Sequence, residues 1–245
     1  MRTRIVWSLL LLLSLAATVL AQGEPSHLYL GLAYYFQGVE RDSEPLKSLA
    51  LLELERAVKI EPEAVEPRLA LAMALHSWGR YQEAAEHYKV LIETTGIAEL
   101  RVLLGDALLA QDRLLEAYNQ YDQALSQTED LSRAHFGSGL ILERWGRTEE
   151  ALRRYEKVQE LAPDLTANSI RLGRLLVEGG EAERAASVLE EAARYNESPE
   201  VFYELACTYY AAGEPGKARQ TAQRVLQLSP DHPGAAALLD KISHN

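Results

Sequence analysis

The 245-residue chain is predicted to be an all-α solenoid of paired helices. Three observations predict it. Small residues recur at a fixed interval: Ala72, Gly105, Gly139, Gly173 and Ala206 are spaced by 33, 34, 34 and 33 residues. A second small residue stands twelve positions after each, at Ala84, Ala117, Ala151, Ala185 and Ala218. Around them run near-copies of one phrase, among them WGRYQEAAEHY from residue 78, QDRLLEAYNQY from 111 and WGRTEEALRRY from 145. A period held over five copies marks one supersecondary unit repeated and stacked on its neighbours.

The chain opens differently. Arg2 and Arg4 precede an uncharged apolar run over residues 5–20, and Val19-Leu20-Ala21 supplies compact residues before Gln22. That layout is a secretory signal peptide over residues 1–21. The run of 16 residues is short beside the roughly 20 a membrane span needs. An uncleaved anchor is the alternative; after cleavage no span remains. The expected location is therefore outside the cytoplasm, periplasmic in a bacterium and secreted otherwise. No Cys follows the run, so a lipoprotein attachment point is missing.

Each period reads as two helices. In the copy over 132–165, Phe136, Leu140 and Leu142 form an apolar stripe at helical spacing. Trp145-Gly146-Arg147 breaks it, Gly146 suiting the left-handed residue that ends a helix. A second helix is expected from Thr148, whose hydroxyl is placed to cap it, with Glu149 and Glu150 at the positive end of its dipole. Ala151, Tyr155 and Val158 make its inner face and Pro163 ends it. Gly139 and Ala151 are small because the two helices are expected to cross closely there. Copies are expected at approximately 24–64, 65–97, 98–131, 132–165, 166–198 and 199–232, with a capping helix over 233–245. In the first copy Gly31 and Ala50 are 19 residues apart instead of 12. Seven extra residues, roughly 40–47, lengthen that hairpin. Pro67 and Pro199 fall where first helices open, a position that tolerates proline.

The pattern resembles the tetratricopeptide repeat family. Leu104-Gly105, Leu172-Gly173, the alanines of the second helices, Tyr88, Tyr121 and Tyr155 four residues later, and the closing Pro62, Pro163 and Pro230 carry the likeness, over about residues 27–230. The resemblance implies a right-handed α-solenoid of helix-turn-helix repeats that binds protein or peptide partners. It also implies that the first helix of each pair lines an inner groove. Phased on the small residues, the groove side chains are Leu28, Leu32, Tyr35, Phe36, Leu69, Met73, His76, Val102, Asp106 and Leu109 in the first three copies. In the last three they are Arg133, Phe136, Leu140, Arg144, Ile170, Arg174, Val177, Tyr203, Cys207 and Tyr210. About half are expected to pack against the next copy. Members of the family that clamp a C-terminal carboxylate use Lys and Asn on these helices. The matching positions hold Leu, Val, Phe, Asp106 and Leu140, so that clamp is missing. Arg133, Arg144 and Arg174 are expected to pair with neighbouring carboxylates such as Glu143 and Glu178.

Charge and composition narrow the function. Lys+Arg number 25 against 36 Asp+Glu. Without Arg2 and Arg4 the basic residues fall to 23 and the formal charge is −13. A basic stripe for nucleic acid is absent, and anionic lipid surfaces are disfavoured. Cys207 is the lone cysteine, so no internal disulfide and no Cys-rich zinc site exists. It sits mid-helix without a neighbouring His, which fits a packed thiol better than a nucleophile. No His-Glu-x-x-His string occurs, and Gly137-Ser138-Gly139 lies inside a helix with no strand before it, unlike a phosphate loop. Asn196-Glu197-Ser198 is a glycosylation sequon followed by Pro199. No catalytic residue, cofactor or metal is expected. Three readings follow: an extracytoplasmic adaptor, a structural subunit of a secretion, pilus or polysaccharide-export assembly, and, least supported, an enzyme or enzyme accessory acting on cell-wall material.

Overall fold

The computed structural model describes residues 26–244; the expected leader lies outside the described residues. The described chain forms thirteen α-helices and no strand. They are α1 (His27–Arg41), α2 (Glu44–Ile60), α3 (Val65–Ser77), α4 (Tyr81–Thr95), α5 (Ala98–Ala110), α6 (Leu114–Gln127), α7 (Ser132–Arg144), α8 (Thr148–Leu161), α9 (Thr166–Glu178), α10 (Ala182–Tyr195), α11 (Pro199–Ala211), α12 (Pro215–Leu228) and α13 (Pro233–Ser243). Odd and even helices up to α12 are the first and second members of six pairs. The chain divides into two compact units, the first ending at Gln120 and the second starting at Tyr121, inside α6.

The turns follow the sequence signals. Gly146 has φ +71° after α7, a left-handed conformation open to glycine. One period earlier Asp112 holds the same place at φ 62°, one of the few other residue types that tolerate it. The seven extra residues of the first copy do not make a loop. They extend α1 to 15 residues and α2 to 17, where the other first helices have 13 and the other second helices 14 or 15. Only Asp42 and Ser43 join the two helices. A Cβ on Gly38 would lie 3.2 Å from the Lys47 backbone nitrogen, so the tip of this long hairpin is tightly closed.

The core explains the period. In the first unit, a Cβ on Gly31 would stand 2.7 Å from Leu54 Cγ. In the second unit, a Cβ on Gly139 would stand 2.6 Å from Tyr155 Cε1, and one on Gly173 2.9 Å from Leu189 Cδ1. Leu54, Tyr88, Tyr121, Tyr155 and Leu189 share one phase of the repeat and are almost wholly buried. The atoms nearest a Cβ at Gly139 therefore belong to a ring one turn beyond Ala151, the neighbour expected from sequence. Ala151, Tyr155 and Val158 are each 0 % exposed, as their inner-face assignment requires. Copy six varies the scheme. Ala222 replaces the large residue, and Tyr209 stands where earlier copies carry Leu75, Leu108, Leu142 and Leu176. Both lie in one cluster with Leu205, Leu238 and Ile242, so the volume lost on one helix is regained on the other.

Thr148 does not cap α8. It is the first helical residue, and no side chain caps that end. Instead the Arg147 guanidinium donates to both Glu150 carboxylate oxygens, at 2.6 and 2.7 Å. Arg80 with Glu83 and Arg113 with Glu116 repeat this fork at the same phase. In copies five and six the sense is reversed: Glu181 pairs with Arg184 and Glu214 with Lys217. Either order leaves a carboxylate at the positive end of the helix.

One buried histidine links the second unit's stability to pH. His135 is 6 % exposed; its Nε2 donates to the Glu129 carbonyl at 2.8 Å, and its Nδ1 faces Arg154 Nη1 at 3.4 Å. Arg154 and Lys157 lie around it, with Asp122 and Asp130 beyond. Burial first, and then the nearby cations, hold its pKa below the ordinary value despite the bond to Glu129. Below about pH 6.5 the unfolded chain binds a proton there that the folded chain resists, so stability is full above that pH and falls beneath it. Urea unfolding of wild type should show this loss between about pH 7.5 and pH 5.5, and His135→Gln should flatten it. Equal slopes for both would remove His135 from the account. Independently, Gly139→Ala should cost about 1–3 kcal/mol through overpacking against Tyr155. Gly216→Ala, which meets no atom within 4 Å, should cost nothing in the same titration.

Candidate protein-binding faces

The predicted groove residues lie on α1, α3 and α5 in the first unit and on α7, α9 and α11 in the second. In the first unit, Leu28, Leu32, Leu69, His76, Asp106 and Leu109 are half-buried and Met73 is 51 % exposed. Val102 is packed inside at 4 %. The Tyr35 ring lies 5.3 Å from Phe36 and 5.2 Å from Trp78, and His76 meets the edge of Tyr81 at 5.2 Å. These contacts hold the rings in fixed orientations on the surface, where aromatic side chains offer large area at small entropic cost on binding.

In the second unit Phe136, Leu140, Ile170 and Val177 are half-buried, and Arg133, Arg144 and Arg174 are exposed. Phe136 tilts against Tyr155 with ring centroids 5.9 Å apart. Arg174 pairs with Glu204, on the next first helix, rather than with Glu143 or Glu178. Glu143 is taken by others. It accepts from the Tyr155 hydroxyl at 2.7 Å and from Arg171 Nη1 at 3.0 Å. Burial, and next the Glu143 carboxylate, raise the Tyr155 pKa far above its usual value, so the phenol stays a donor. Asn168, wholly buried, donates from Nδ2 to the Tyr155 carbonyl at 3.0 Å. Tyr155, Glu143, Arg171 and Asn168 thus bind copy four to copy five. Sequence reading named Glu143 as a partner for arginine but did not see which arginine. Arg171 lies three residues before Arg174 and was not singled out.

The aromatic residues near the C-terminal end have a second occupation. Tyr203 stacks against His232 at 4.8 Å, and a Cβ on Gly234 would lie 2.6 Å from its Cζ. Lys241 places its ammonium 4.8 Å from the Tyr210 ring centre. Both tyrosines therefore seat α13, the terminal helix that covers the end of the array. The signal was a glycine inside that helix, at Gly234. Cys207 is half-buried beside Tyr203, and burial pushes its thiol pKa up, away from nucleophilic use.

Among the described residues no group of three or more His, Cys, Asp or Glu could hold a metal ion. No described helix is long and apolar enough to cross a membrane. Paired helices with fixed rings and apolar side chains on their first members define a helical-repeat interaction scaffold. The chain belongs to the tetratricopeptide repeat family, whose model matches residues 48–96, 102–165 and 170–233, well over half of the sequence.

Solved structures agree on the fold. YrrB, described as a tetratricopeptide repeat protein with an unusual peptide-binding site, is 20% identical with a TM-score of 0.61 over 75% of this chain and 96% of its own. PilF from Pseudomonas aeruginosa is 18% identical with a TM-score of 0.68, over 86% of this chain and 97% of its own. Cut9 in its complex with Hcn1 gives 0.72 at 15% identity, over 94% of this chain and 45% of that one. Among curated proteins the general transcriptional corepressor ssn6 of Schizosaccharomyces pombe is 27% identical over 118 residues, 47% of this chain but only 11% of that protein.

Substituting Gly234→Val should displace the Tyr203 ring and loosen α13. Hydrogen exchange should quicken over residues 233–243 while α7 to α10 keep their protection. Unchanged exchange in α13 would show that the helix does not depend on this seat.

Proposed function

We propose that this protein is an extracytoplasmic adaptor that holds a segment of an envelope or secreted protein on the first-helix faces of its repeats. The observation that carries the reading is Met73: a large flexible apolar side chain, half exposed on α3, one turn after Leu69 on the same helix. A flexible thioether suits apolar side chains of varied shape. The peptide-binding site named for YrrB supports this use of the fold, and the apolar leader with its two arginines supports export. The acidic surface supplies solubility and speeds encounter with basic partners at low salt.

The test is affinity capture of the tagged protein from its native host, beside Phe36→Ala, Met73→Ala and Arg133→Ala variants. Circular dichroism must show unchanged helicity. A partner held by wild type should be lost in part from each variant, with Phe36 and Met73 each costing more than about 1 kcal/mol. If the same proteins bind all four forms equally, the first-helix faces are not the site. Export is read separately, by cell fractionation and by the N-terminal residue of the purified chain. A cytoplasmic protein starting at Met1 would overturn the location.

A further inference from the structure

One contact recurs between the two helices of a copy and changes its chemistry along the chain. It joins the residue four before the small residue of the first helix to the residue three after the small residue of the second. In copy one these are His27 and Glu53, with His27 Nδ1 2.5 Å from a carboxylate oxygen. In copy three they are Arg101 and Gln120, at 3.5 Å. In copy four they are His135 and Arg154, at 3.4 Å. Copy two places Arg68 and His87 there, and copies five and six hold Ser169 with Val188 and Phe202 with Thr221. Three of the six histidines thus stand in one repeated contact, and their surroundings differ. Glu53 is buried and also accepts from Arg56 at 2.9 Å. The His27 Nδ1–H can donate to it whether or not Nε2 carries a proton. His135 is the opposite case. Its Nε2 is spent on the Glu129 carbonyl and its Nδ1 faces a guanidinium, so an added proton meets only a cation. Arg154 and Lys157 stand about it on α8, with the Glu129 carboxylate before α7 and Asp122 and Asp130 beyond. His87 is half-buried. Burial and then Arg68 of α3 oppose its charge, and they outweigh Glu55 of α2 and Glu83 and Glu86 of α4.

From this contact we propose that the array carries a pH-sensitive device: mild acid opens the helix pairs of copies two and four and leaves that of copy one closed. A proton on His87 or His135 makes a poorly hydrated cation beside an arginine, and opening the pair to water relieves it. Burial and the neighbouring arginine hold both imidazoles below their ordinary range. The two contacts are therefore intact above about pH 6.5 and weaken beneath it. His27 keeps its carboxylate partner in either state. Copies three and five hold no histidine and serve as internal controls. Each copy can answer separately because repeat arrays open locally. Leu69 follows Arg68 and Phe136 follows His135 on the same first helices, so acid would disturb the binding faces of those copies. That consequence rests on the function proposed above, while the opening itself does not.

Hydrogen exchange of the protein as its host processes it, followed at about pH 7.5 and pH 5.5 and corrected for the intrinsic effect of pH, tests this. On acidification, protection in α3–α4 and α7–α8 should fall at least about threefold more than in α1–α2, α5–α6 and α9–α10. His87→Gln, which installs the Arg–Gln pair of copy three, should abolish the loss in copy two alone. His135→Gln should abolish it in copy four alone. Circular dichroism confirms that each variant is folded. His76 also lies in copy two, with the Tyr81 and Tyr88 rings at 5.2 and 6.1 Å. A loss in copy two that survives His87→Gln belongs to His76 and overturns the proposal. Should a variant not fold, the wild type still decides. Equal loss in every copy, or no loss in copies two and four, overturns it.

Discussion

The close approach of a small residue on one helix to a large buried side chain on the next sets the terms for the rest of this molecule. Where Gly139 faces Tyr155, no room exists for a single added carbon. The ring can be large only because the opposing position is bare. The same bargain joins Gly31 to Leu54 and Gly173 to Leu189. It fixes how near two helices lie, and through that distance it fixes where the next pair must start. The period of 33 or 34 residues is the sequence image of that contact. Copy six shows that the constraint is on summed volume, since Ala222 is offset by Tyr209.

Because the contact is local and repeated, most of the fold was legible in the residues. The helices of copy four fall where Phe136, Gly146, Thr148 and Pro163 put them. What was not legible depended on reach rather than period. Arg174 could meet several carboxylates within one side-chain length, and only three dimensions choose Glu204. Thr148 looked like a cap, but an arginine one residue earlier forms a two-pronged bond with Glu150 and leaves the hydroxyl outside that role. The extra residues of copy one showed that the hairpin is longer, not how the added length is built. Helical continuation on both sides satisfies more backbone groups than an open loop does, and the chain takes it. As for the first-helix faces, the sequence phase put all but Val102 at least partly on the surface. It could not show that Tyr203 and Tyr210 are already engaged by α13.

The electrostatics divide into two kinds. Forks such as Arg80 with Glu83 lie in exposed first turns and orient the entry of a helix more than they stabilise the fold. The group around Glu143 is different. The Tyr155 hydroxyl and Arg171 of the next copy both meet Glu143, and the wholly buried Asn168 holds the Tyr155 carbonyl, so three bonds tie copies four and five. Tyr155 and Asn168 are buried, so their polar groups are costly to leave unbonded. Their direction also matters for binding. Arg171 and Arg174 are both committed to carboxylates of the same molecule, so a net acidic chain exposes less free positive charge on these helices than its arginine count suggests.

The two kinds of pairing differ in what they demand of inheritance. A fork confined to the first turn of one helix travels with its own copy, and duplication or loss of that copy leaves every other fork intact. The reversed pair of copy five is less self-contained, since Arg184 donates to Glu156 of the preceding copy as well as to Glu181. The bond from Arg171 to Glu143 spans two copies, so each is incomplete without the other. Arg174 with Glu204 likewise joins copy five to copy six, so loss or duplication of a copy in this stretch breaks pairs that belong to its neighbours as well as its own.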